Sequence, residues 1–470
     1  MIARRGESNA GASDGTSVAA DDAVLVDGSR IAVLGGGPAG SFFAYFLLDM
    51  AARVDVRLEL DIYEPRTFAQ PGPTGCNMCG GIVSETLVQN LAADGVFLSG
   101  EVIQRGIDSY MLHTDVGSVR ISTPHAEARI GAVHRGGGPR DVTEPRWESF
   151  DGHLLARALG VGANLIGSRV EEVGLVDGRP SIRVHGQEPR RYDLAVVATG
   201  VNTSLLKALE GLGIGYRRPS LTKTLIREYH VGAEAIRTSL GTSMHVFLLN
   251  IPRLEFAALI PKGDYVTMCL LGEEIDNALG DAFATSKEVR AVMPPGWEPE
   301  ARSCQCIPHI NVRGVEKPYA DRVVFIGDSG VTRLYKDGIG AAYRTAKAAA
   351  RTALFEGVSE AAFGRYFMPV CRSIRGDNRI GEVAFRLTRL AQRLRILRRA
   401  ILAITIEEQV RGRRPRLSSI LWDMFSGSAP YGDIFTRMVH PALLWRGLLA
   451  MPGALVGRTA STLHERSTGG

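Results

Sequence analysis

The chain has 470 residues, 45% hydrophobic and 22% charged, the balance of an ordinary globular protein with room for two or three packed units. Six cysteines in that length do not suggest a disulfide scaffold. No apolar run reaches the roughly 18 residues of a membrane span, since Pro441 to Val456 is interrupted by Arg446, Pro452 and Gly453. The net charge of +5 is uneven: residues 371–470 hold 17 Arg, no Lys and 7 acidic residues, giving +10, so the first 370 residues carry −5.

Residues 1–28 are small and polar, without the apolar core of a secretory signal. They are expected to form a disordered leader on a cytoplasmic chain with free thiols. Ile31-Ala32-Val33-Leu34 then reads as a buried parallel strand. Gly35-Gly36-Gly37-Pro38-Ala39-Gly40 fills a G-x-G-x-x-G pattern, and an apolar run of helical period follows from Phe42 to Ala52. A second strand ends in Asp61-Ile62-Tyr63-Glu64. Gly35 permits the turn, Gly37 lets backbone approach a pyrophosphate, and Gly40 lets the helix pack on the sheet. Pro38 and Ala39 complete the turn at a helix N-terminus, whose open N–H groups suit a diphosphate. Glu64, twenty-four residues after Gly40, is placed to accept hydrogen bonds from a ribose. A glycine pattern alone marks a turn. With strand, helix and acid around it, it points to dinucleotide binding.

A Gly/Pro-rich loop, Pro71 to Val83, contains Cys76, Cys79, Gly80 and Gly81 and leads to a helix over about Ser84 to Ala93. Val96 to Thr123 reads as strands with a hairpin turn at Asp115-Val116-Gly117. A helix is expected from Trp147 to about Leu159, then a strand ending at Val173 that carries Val170. Tyr192 to Ala198 is a buried strand ending in Thr199-Gly200, where backbone can come close to a ligand. Residues 206–312 are mainly strand. Arg322 to Phe325 is a further buried strand before Gly327-Asp328, and Gly338-Ile339-Gly340 opens a small-residue helix through Ala350.

Four of these segments, in this order, resemble the FAD-dependent geranylgeranyl reductase family, within the wider fold of the aromatic hydroxylases. They are the glycine fingerprint ending at Glu64, Cys79-Gly80-Gly81-Ile82, the strand into Thr199-Gly200, and Gly327-Asp328 through Gly338-Ile339. The resemblance covers roughly residues 30–370. It implies an α/β fold: an FAD-binding dinucleotide domain (29–95, 125–205 and 313–370) interleaved with a mainly β substrate domain (96–124 and 206–312). A basic helical C-terminal region, 371–470, follows. In that family the carboxylate matching Asp328 binds the ribityl chain, and the helix starting at Gly338 faces the flavin. The backbone matching Val170 contacts adenine, and an arginine near residues 135–146 touches FAD. Arg135 and Arg146 are both candidates, and Arg146 is taken for the site. The loop Ser329 to Lys336 lacks the His and Pro of the hydroxylases, which leans toward a reductase. The run Phe256 to Pro261 stands where archaeal reductases carry Tyr-x-Trp-x-Phe-Pro, so the resemblance implies a remodelled substrate pocket.

The expected chemistry is hydride transfer from reduced flavin to an alkene carbon of a small lipophilic, isoprenoid-type substrate. NAD(P)H is a candidate electron donor, although no separate nicotinamide domain is visible. Tyr335 and Cys79 are the candidate proton sources, and Tyr335 can equally be a packing residue. A flavin monooxygenase, or a flavin electron carrier, uses the same fold. Cys76-x-x-Cys79 and Cys304-x-Cys306 could hold a metal or cluster, or Cys76 and Cys79 a redox disulfide, but the blander reading is buried thiols. No metal site is therefore assigned. In the tail, Ile380, Val383, Leu387, Leu390, Leu394, Leu397, Ile401 and Ile404 form a helical seam flanked by arginines. That seam suits packing on the core, an anionic membrane surface, or a helical dimer. Without interleaved aromatics or a recognition motif, nucleic acid is not an expected partner.

Overall fold

The structure, a computed structural model, describes residues 24–77, 79–124, 130–143, 146–411 and 415–455. Most of the expected leader lies outside the described residues. The first sheet has six strands in the order 319–320, 323–325, 194–197, 30–34, 59–63, 164–166, parallel except at the 319–320 edge. Its central strand, Arg30–Leu34, is covered on both faces, and Ile31, Ala32, Val33 and Leu34 are fully buried. A near-continuous apolar run is what such a strand requires.

The helix Pro38–Arg53 starts with proline at its first turn, where a missing N–H costs nothing, and runs back along the sheet. It lies against the helix Gly338–Phe355 through an alanine face (Ala342, Ala346, Ala349 and Ala353). Phe42 and Phe46 close on Tyr343, with ring centroids 5.7 and 5.4 Å apart. Small residues allow the close approach, so two helix N-termini open on the same side of the sheet.

The second sheet has eight strands and includes 109–114, 117–122, 220–230, 243–247, 254–262 and 265–272. The expected turn is there, with Thr114 opposite Gly117. Two other expectations shift. The helix begins at Phe150 rather than Trp147, because Ser149 caps it by accepting the Gly152 N–H at 3.0 Å. The strand expected to end at Val173 divides into Asn164–Ile166, in the first sheet, and Val170–Val176, in a separate three-stranded sheet that Val170 opens.

Two histidines are buried in the large sheet. His245 Nε2 donates to the Leu240 carbonyl at 3.1 Å, so its Nδ1 accepts from His113 Nε2 at 2.9 Å. His113 Nδ1 then accepts from Ser118 Oγ at 2.8 Å. Both rings must be neutral for this chain to form. Burial lowers His113 to about 3 and His245 to about 4. In the unfolded chain both would titrate near 6.5, so the unfolded state binds more protons between those values. Stability from this pair is complete above pH 6.5 and is lost as pH falls toward 4, at up to about 1.4 kcal/mol per histidine per pH unit. Urea midpoints measured from pH 7 to 5 should fall accordingly, and more gently in His113→Gln.

The tail is helical but differs from the single seam the sequence suggested. The helix Met368–Arg393 ends where Leu394 turns extended (ψ 107°), and a second helix runs Arg395–Arg411. Ile380, Val383, Leu387, Leu390 and Leu394 point outward, between 37 and 49% exposed, while Ile404 is buried. The inward face of the first helix is built instead from Ile374, Asn378, Gly381, Ala384 and Phe385. Gly381 admits the ring of Tyr431, and Asn378 bonds the backbone of Thr332 and Leu334. Close approach and polar pairing chose the inward face.

Candidate active site

The glycine turn leaves the central strand with Gly35 at φ +107°, where a side chain's Cβ would lie 2.6 Å from the Ala198 carbonyl oxygen. A Cβ on Gly40 would run into the Gly35 carbonyl oxygen. Gly37 caps the helix with extended backbone and no side-chain hydrogen bond, leaving first-turn N–H groups open. Gly35, Gly37, Pro38 and Ala39 border a cavity of about 740 Å³. Gly40 stands behind them as a packing residue.

Glu64 borders the cavity but is already occupied. Its Oε2 accepts the Gly36 N–H at 3.0 Å and its Oε1 accepts Arg66 Nε at 2.9 Å. The carboxylate thus shapes the turn as well as facing the cavity. Arg66 Nη1 donates to Asn77 Oδ1 at 2.6 Å, and Asn77 Nδ2 donates to Asp151. Asp151 also receives Arg135 through two N–H groups, one at 3.0 Å. Asp151 is fully buried and Arg135 is 8% exposed, and the carboxylate holds the guanidinium firmly charged against the pull of burial. Of the two candidate arginines, Arg135 lines the cavity, whereas Arg146 is exposed and away from it. Arg146, the arginine taken from the sequence, does not line the cavity, and sequence distance cannot show that Arg135 has a buried acid to receive it. Sequence reasoning also missed Arg66, Asn77 and Asp151. Only the Asn after Cys76 and the Asp in the capped helix hinted at them.

Thr199, Gly200 and Val170 line the same cavity, as do Asp328, Gly338 and Ile339. Gly327 sits behind Asp328 at φ +60°, where a Cβ would come 2.8 Å from that of Ala39. Asp328 makes no ion pair among the described residues, and burial raises its carboxyl above the ordinary range. The helix Gly338–Phe355 begins beside it, with no side-chain cap on its first N–H groups. A glycine turn, two helix N-termini and a carboxylate without an ion pair, all on one large cavity, fit a flavin dinucleotide, with phosphates at the first helix and polar groups at Asp328.

One stretch of the wall is apolar. Phe256, Ala258 and Ile260 alternate along one strand toward the cavity, joined by Met244, Leu271 and the tail residue Phe425. Phe425 lies 5.9 Å from Phe256 between ring centroids, so the tail closes this end. Gly80, Gly81 and Cys79 border the cavity from the loop after Asn77. The Cys79 sulfur accepts the Gly81 N–H at 3.5 Å. Tyr335 reaches the cavity from a left-handed backbone (φ 59°), its ring edge-on to Phe385 at 5.1 Å, and burial pushes its hydroxyl up to about 12.

Cys76, Cys79, Cys304 and Cys306 do converge, around a small side cavity of about 40 Å³. None of the six cysteines forms a disulfide. Among the described residues no group of three or more His, Cys, Asp or Glu is arranged to hold a metal ion. Burial pushes the Cys304 and Cys306 thiols up, away from the thiolate that metals bind.

No family model and no curated protein matches the chain. Solved structures do. A geranylgeranyl bacteriochlorophyll reductase-like protein from Thermoplasma acidophilum superposes with TM-score 0.53 at 14% identity, covering 94% of this chain and 99% of that one. A flavoprotein/dehydrogenase from Cytophaga hutchinsonii gives 0.61 at 13% identity, over 91% and 100%. A p-nitrophenol 4-monooxygenase from Pseudomonas putida gives 0.56 at 12% identity, over 86% and 100%. The chain has the FAD-binding dinucleotide fold of the flavin-dependent oxidoreductases.

Proposed function

We propose that the protein is an FAD-dependent oxidoreductase that reduces a C=C bond of a lipophilic, isoprenoid-type substrate. One observation carries this reading: a single cavity joins a dinucleotide-binding end to an apolar wall of sheet and tail side chains. When bound, reduced flavin supplies the hydride for one alkene carbon. The chain's own residues hold the alkene against Phe256, Ile260 and Phe425, exclude water, and deliver a proton to the other carbon. Tyr335 suits that delivery because its hydroxyl stays protonated at neutral pH, with Cys79 as the second candidate. Tyr335→Phe should lower turnover about 100-fold while FAD stays bound. Unchanged turnover would remove Tyr335 from the mechanism.

The likeness to a monooxygenase favours a second reading on the same fold, oxygen insertion into an aromatic or alkene. Anaerobically reduced protein mixed with a polyprenyl substrate separates the two. Product carrying two added hydrogens without oxygen supports the reductase; product formed only with oxygen, and carrying an oxygen atom, supports the monooxygenase. NADH or NADPH is the proposed electron donor, checked by bleaching of flavin absorbance on its addition under anaerobic conditions.

The lipophilic substrate suits a protein that works at a membrane surface. No helix among the described residues is long and apolar enough to cross one. The outward row Ile380, Val383, Leu387 and Leu390 lies beside Arg379, Arg386 and Arg393 on the same helix, and these arginines are exposed as well. Apolar side chains beside arginines match an anionic bilayer surface on the cytoplasmic side. Co-sedimentation with vesicles containing phosphatidylserine is the expected result, falling as salt rises. Absence of binding at low salt would remove this partner.

A further inference from the structure

Three cations that line the cavity each face an acidic partner, and Lys336 does not. Arg135 has Asp151, Arg66 has Glu64, and Arg333 has Asp337 and Asp377 within 3.9 Å. The Lys336 ammonium makes no hydrogen bond or ion pair among the described residues. Its ammonium sits 3.4 Å over the centroid of the Phe256 ring, on the apolar side of the cavity. A cation over an aromatic face gains some attraction, but less than the hydration it gives up. Its neighbours on either side, Tyr335 and Asp337, are both held in left-handed backbone, φ 59° and 56°. Non-glycine residues adopt that region at a cost, and such strain collects where a side chain must be aimed.

We propose that Lys336 receives an anionic oxygen group on the substrate, a carboxylate or phosphate ester whose apolar chain lies along Phe256, Ile260 and Phe425. The open helix N-terminus at Gly37 already offers a place for dinucleotide phosphates, whereas Lys336 stands among side chains of the large sheet. The inference rests on the reading of this cavity as a substrate pocket, and adds the chemical class of the head group.

The surrounding groups leave the ammonium without an anion. The Cys269 thiol opposite is pushed up by burial and stays neutral, as does the Tyr335 hydroxyl. Cys79 has its sulfur on the Gly81 N–H. Asp337 turns to Ser84 at 3.2 Å and to Arg333, and burial raises its carboxyl to about 6. Burial lowers Lys336 itself to about 7. At pH 7.5 much of it is neutral, so an arriving anion should draw a proton onto it.

Calorimetric titration of the FAD-loaded protein with decanoate, decyl phosphate and decanol, at pH 7.5 in two buffers of different ionisation enthalpy, tests this. One or both anions should bind at least about tenfold tighter than decanol, the worth of a charge-assisted hydrogen bond, and take up protons. The two anionic arms tell carboxylate from phosphate ester. Lys336→Met should lose both the preference and the proton uptake yet still bind decanol and melt no earlier, because it removes an uncompensated charge. Lys336→Arg should keep the preference and lose the proton uptake, since its guanidinium is always charged. Equal binding of acid and alcohol by the parent, or a preference that survives Lys336→Met, would overturn the proposal. Anion preference in a flavoprotein that reduces no alkene would overturn the reductase reading alone.

Discussion

Gly40→Ala is expected to yield protein that purifies without flavin, takes up none when FAD is added, and unfolds at lower urea. The new methyl would collide with the Gly35 carbonyl oxygen and come 3.0 Å from Val33 Cγ1. Neither obstacle can move cheaply. Val33 is fully buried in the central strand, and Gly35 is pinned at φ +107° against the Ala198 carbonyl. The helix Pro38–Arg53 must therefore tilt away from the sheet. Overpacking a rigid contact costs about 1–3 kcal/mol or more. The larger effect is on binding, because the tilt displaces the open N–H groups after Gly37. Full flavin occupancy in Gly40→Ala would show that the turn tolerates a side chain and does not cradle a dinucleotide.

Asp151→Ala should lower stability by about 3–5 kcal/mol, the usual consequence of removing one partner of a buried ion pair. Asp151 is wholly buried and Arg135 nearly so, and a guanidinium cannot shed its proton to escape. The loss propagates, since Asn77 donates to the same carboxylate and passes its own oxygen to Arg66, which holds Glu64. Flavin affinity should fall along with the urea midpoint. Adding Arg135→Met should restore most of the stability, because the uncompensated charge goes with it. A single variant as stable as the parent would mean the pair is structurally idle.

The first sheet was legible because its strands are continuous apolar runs and its turn obeys a spacing rule. Ile31 to Leu34, the glycines after them and the strand into Thr199 each carry local information. The polar chain Glu64–Arg66–Asn77–Asp151–Arg135 was not legible. It links residues up to 87 positions apart through side-chain geometry that no local pattern encodes. The tail failed in a different way. A period of three and four identifies an apolar stripe, yet here Gly381 and Asn378, on the other face, offered Tyr431 and the Thr332–Leu334 backbone a better fit. Lys336 could not have been singled out either. Its chemistry comes from the ring of Phe256, eighty residues earlier, and from the lack of an ion-pair partner among the described residues.

The most direct test of the central claim is the absorbance spectrum of the purified protein, before and after anaerobic dithionite and after incubation with FAD. The fold and cavity predict a two-banded flavin spectrum that bleaches cleanly on reduction, either as purified or after reloading. A colourless protein that cannot be reloaded with FAD would contradict the account.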